Sequence, residues 1–106
     1  MQNGTSSDMR RYEVVEVLKC SEPAIRALGA ASLYLYGSYA RDEARAGSDV
    51  DLFIDRDPDK KLGLLELVEM KELLEKELAC EVDVGTRAGL HPALKANIET
   101  TAIKVF

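Results

Sequence analysis

The chain has 106 residues, 46% hydrophobic and 31% charged, with 14 basic against 19 acidic residues and a net charge of −5. That length suits one domain rather than two, and the acidic balance argues against a large nucleic-acid footprint, which needs clustered Lys and Arg. There is no apolar run long enough to span a membrane, no signal-peptide plan, and no metal or redox spacing around Cys20 and Cys80, so a cytoplasmic protein with two reduced thiols is expected.

Residues 1–8 are polar and expected to be disordered, leaving residues 9–106 as the single domain. Over 9–20, Tyr12, Val15 and Leu18 fall at helical spacing with Val14 alongside, which predicts an amphipathic helix. Ser21-Glu22-Pro23 predicts a restart, Ser as cap and Pro in the first turn, and this second helix stops near Gly29. Residues 32–36 are aromatic and aliphatic, end on Gly37, and read as a buried strand. A short helix or turn covers 38–45, and a second strand begins at Val50. Residues 55–59 read as an exposed turn-rich loop. The clearest helix spans 62–78, with Leu64, Leu67, Val68, Met70, Leu74 and Leu78 as its apolar stripe and a Glu72–Lys76 pair outside. Alternation of Val82, Asp83 and Val84 predicts a third strand. A short helix from Pro92 and an edge strand over 102–106 complete an α+β (α/β) pattern built on one small mixed sheet.

Chemistry concentrates between Gly37 and Asp51. Gly37 lets a ligand approach the backbone, and Ser38 offers a hydroxyl and an N–H at a helix start, where an anion is favoured. Asp49 and Asp51 lie on one face of a strand roughly 7 Å apart along the chain. Paired carboxylates there repel each other and have raised pKa values when buried; a hard divalent cation such as Mg²⁺, completed by substrate phosphates, would satisfy them. Asp83, flanked by valines, joins them if its strand lies beside the Val50 strand. Ser48 caps the loop or touches a phosphate oxygen. Arg41 clamps a phosphate or pairs with Asp42 or Glu43. Tyr34, Tyr36 and Phe53 are expected in the core, Tyr39 is expected nearer the surface, and His91 reads as a helix-start residue.

Gly37-Ser38, ten further residues, then Asp49-Val50-Asp51 resembles the signature of the polymerase-beta-like nucleotidyltransferases. The fuller string, Gly37-Ser38-Tyr39-Ala40-Arg41 through Ser48-Asp49-Val50-Asp51-Leu52, is similar to the minimal nucleotidyltransferase (MNT) branch. The resemblance implies a sheet with helices on one face and the site on the other. It implies catalytic and metal-binding roles for Asp49, Asp51 and Asp83, nucleotide contacts from Gly37, Ser38, Ser48 and Arg41, and two Mg²⁺ ions with ATP as substrate. It further implies a HEPN-type toxin as partner, a tyrosine of which receives AMP, so that this chain acts as antitoxin. One position departs: Asp42 stands where the family usually has Gly, bringing a negative charge near the phosphates. Two other readings stay open: an antitoxin that neutralises its partner by occlusion alone, and a small-molecule nucleotidyltransferase.

Overall fold

Alternation of side chains along two central strands divides the sheet into two unlike faces. The computed structural model describes residues 9–106; the expected disorder of residues 1–8 lies outside them. Strand β1 (Ala30–Tyr36) pairs antiparallel with β2 (Val50–Arg56). Leu33 and Leu35 of β1, with Val50, Leu52 and Ile54 of β2, join the main core. The other face carries two cross-strand pairs, Tyr34 with Phe53 and Tyr36 with Asp51. Strand β3 (Val82–Thr86) runs parallel to β2 and sets Val82 opposite Val50, Asp83 opposite Asp51 and Gly85 opposite Phe53. The two-residue β4 (Ile103–Lys104) pairs with β1 at the far edge, giving the order β3-β2-β1-β4. This is the expected mixed sheet.

Helices α1 (Arg11–Cys20), α2 (Glu22–Ala27) and α4 (Leu64–Leu78) supply the other half of the core. Val14 and Leu18 of α1, four residues apart and so on one face, are fully buried, as are Ile25 of α2 and Met70 and Leu74 of α4. Three expectations shift here. Tyr12, Leu64 and Val68 are exposed, because the buried stripes of α1 and α4 run through Val14–Leu18 and Met70–Leu74–Leu78. Ser21 does not cap α2; its hydroxyl donates back to the Val17 carbonyl at 3.3 Å. The ion pair on α4 is Lys71–Glu75 at 2.6 Å, and the Lys71 ammonium also donates to the Val82 carbonyl at 2.8 Å, tying α4 to the start of β3. The one-turn helix α3 (Gly37–Ala40) follows β1. Helix α5 (Pro92–Thr101), after a 3₁₀ turn at Arg87–Gly89, has no buried residue.

Candidate active site

Asp51 lies between the two halves of the site. On the β1 side its carboxylate fills the space that a Cβ on Gly37 would occupy. Gly37 also has φ +78°, a conformation L side chains rarely adopt, so glycine is required there twice over. On the β3 side the cross-strand partner of Asp51 is Asp83. Asp49, one residue before β2, and Asp83 are exposed, while Asp51 is half-buried.

Electrostatics report the same proximity. Burial, then the charges of Asp83 and Asp49, push the Asp51 carboxyl up to about 6, against a smaller downward pull from Arg41. The Tyr36 phenol is raised by burial and then by Asp51 and Asp83. Tyr36 therefore looks onto the acids from the open face, half-buried, rather than filling the helical core. Asp83 and Asp49 thus make ionisation of Asp51 costlier, the signature of a site completed by positive charge. Among the described residues no three His, Cys, Asp or Glu side chains are gathered as they stand into a group able to hold a metal ion. All-oxygen donors suit Mg²⁺; the residues fit such an ion in kind.

The remaining sequence candidates divide. The Ser48 hydroxyl accepts the Arg45 N–H at 2.9 Å, so it braces the loop into β2. Arg41 is paired with Glu43 at 2.9 Å and is largely exposed. Ser38 is half-buried in α3, a single turn whose dipole is small. Tyr39, expected nearer the surface, is 1% exposed; its ring faces the core because α3 turns that side inward. His91 begins α5, its Nδ1 accepting the Ala93 N–H at 3.1 Å.

Asp42 is engaged at the start of α1. It has φ +58°, and its Oδ1 accepts the backbone N–H of Arg11 at 3.2 Å. Arg11 opens α1, so the carboxylate meets the positive end of that helix. The departure from the family's Gly thus serves a helix start.

One cluster has no signal in the sequence. Arg87 donates to both Asp55 oxygens at 2.7 and 2.9 Å and to Glu99 of α5 at 3.0 Å. Its guanidinium lies 4.9 Å from the ring centres of both Tyr34 and Phe53, which stack at 4.7 Å. Arg87 and Asp55 are 32 positions apart, and only the β2–β3 register joins them.

Residues 19–105 match the family described as nucleotidyltransferase domain. A Methanocaldococcus jannaschii protein, provisionally named a protein adenylyltransferase, is 39% identical over 79% of this chain and 88% of its own. A solved structure provisionally identified as a minimal nucleotidyltransferase is 32% identical, superposes with a TM-score of 0.68, and covers 92% of this chain and 97% of that one. A Shewanella oneidensis complex of a tri-AMPylated HEPN toxin with its MNT antitoxin, 17% identical, shares the fold at a TM-score of 0.61 over 87% of this chain and 71% of that one.

Proposed function

The chain belongs to the nucleotidyltransferase domain family, and from that premise we propose that it transfers AMP from ATP to a tyrosine hydroxyl of a HEPN-type toxin, acting as its antitoxin. The observation that carries this reading is the order Gly37, Asp51, Asp83 across one sheet face. Gly37 and Ser38 receive the β- and γ-phosphates, Asp51 lies beneath the α-phosphorus, and Asp83 is beside the incoming hydroxyl. Asp49, Asp51 and Asp83 would hold Mg²⁺, which when bound supplies charge neutralisation at the phosphates. Asp83 receives the proton as the hydroxyl attacks, and Tyr36 limits water on the open face. Asp42, engaged with Arg11, leaves the phosphate side free of its charge. That supports transfer over occlusion.

The test incubates the protein with Mg²⁺, ATP labelled at the α-phosphate and the HEPN-type protein encoded beside it. Label is expected on a partner tyrosine, with pyrophosphate released in equal amount. Neutralisation of the partner with no label on it would replace transfer by occlusion.

A further inference from the structure

Next to Asp83 the open face contains a slot of about 250 Å³, lined by Leu90, Leu94 and Ile98 together with Tyr36, Thr86 and His91. Its floor is Gly85, which faces the same way as Asp83, two positions along β3. A Cβ on Gly85 would meet nothing within 4 Å and its φ is not positive, so neither packing nor backbone conformation calls for glycine. A glycine inside a strand weakens it and often marks a close approach by another group. Leu90, Leu94 and Ile98 recur at four-residue spacing, yet Leu94 is 55% exposed. The stripe faces the sheet across a gap instead of packing on it. A side chain at position 85 would project into that gap.

We propose that this slot is the acceptor subsite, taking the ring of a phenolic side chain and presenting its hydroxyl to Asp83. The proposal rests on the transferase reading above. In-line displacement sets the incoming oxygen opposite the departing one. With pyrophosphate leaving over Gly37 and Ser38, the hydroxyl must arrive from the β3 side, where the slot opens. Sites for larger organic ligands run from about 300 Å³ upward, so the slot suits one ring better than a nucleoside. Leu90, Leu94 and Ile98 suit a phenyl face, and the Asp83 carboxylate suits its hydroxyl. The phenolic oxygen bonds to the α-phosphorus as the bond to the bridging oxygen breaks; pyrophosphate leaves with that electron pair, and the phenolic proton passes to Asp83.

The experiment uses the whole chain with ATP and Mg²⁺, N-acetyl-tyrosinamide or N-acetyl-serinamide as acceptor, and mass spectrometry to follow AMP transfer. Calorimetry measures nucleotide binding alongside. Gly85→Val fills the floor with a side chain that strands favour, and Leu94→Trp closes the slot from an exposed helix position should the first variant fold poorly. Transfer to the tyrosine amide, at least tenfold above the serine amide, is expected in the native chain. Both variants should lose at least tenfold of it while binding nucleotide unchanged. Undiminished transfer in folded variants, equal use of the serine amide, or nucleotide binding without transfer to either amide overturns the slot alone. Lost nucleotide binding in the variants reassigns the slot to the nucleoside, and a native chain that binds no nucleotide removes the transferase reading together with the slot.

Discussion

At Asp51 burial and two neighbouring carboxylates act in the same direction, and with no cation present that arrangement opposes folding. Replacing Asp49 and Asp51 together by Asn removes the repulsion but keeps the shape. Transfer should be abolished while the melting temperature, measured in chelator, stays level or rises. A double variant that unfolds would give these acids a structural role, and one that still transfers AMP would move the chemistry elsewhere. Asp42 is the contrasting residue. Asp42→Gly loses a carboxylate from the start of α1, a cost of about 0.5 kcal/mol, while placing at φ +58° the residue that adopts such a backbone freely. Stability should therefore stay within about 0.5 kcal/mol by the same bookkeeping, and calorimetry should find ATP affinity changed less than tenfold. A large gain in affinity and rate would show a carboxylate that does oppose the triphosphate.

At the scale of elements, α5 depends on few attachments. It has no buried residue, and Glu99 meets the same guanidinium that grips Asp55. The hydrogen bonds from Arg87 hold the Asp55 carboxyl below its ordinary value, burial opposing them and the charges of Arg87 and Lys104 reinforcing them. A depressed carboxylate stabilises the fold above its unfolded value, near 3.8, and that contribution is lost as pH falls through the lower folded value. Asp55→Asn should thus cost about 1 kcal/mol at pH 7, the upper range for a pair one-third exposed. The two proteins should converge in stability as acid protonates Asp55. Amide exchange along α5 is the local readout: faster exchange in the variant is expected, and unchanged exchange would mean that α5 is held by other contacts.

For the whole molecule, nucleotide and cation should act as one stabilising ligand, since each supplies what the other's site lacks. At a hundredfold excess over the dissociation constant the gain is about 2.7 kcal/mol, which in a domain of this size raises the melting temperature by on the order of 10 °C. ATP and Mg²⁺ together should approach that shift and either alone should fall well short; an ATP effect indifferent to the cation would argue against a metal-dependent site. Much of this was legible in the chain. Gly37 declares itself because it ends an apolar run just before Ser38, Asp49 and Asp51 because strand alternation puts both on one face, and the buried strands because their apolar runs end at turn residues. These are local properties, set by residue type, by alternation and by spacing. Which of two apolar stripes on α1 or α4 goes inside was not local: Tyr12 and Val14 have equal claim until the sheet is there to receive one. Tyr36 and Tyr39 exchanged their expected places for the same reason. Asp83 could be suspected from its valine neighbours, but only the parallel register of β2 and β3 brought it to Asp51. Arg87, Asp55, Glu99 and the slot over Gly85 rest wholly on tertiary structure, because a contact between residues distant in sequence exists only once the strands between them have chosen their neighbours.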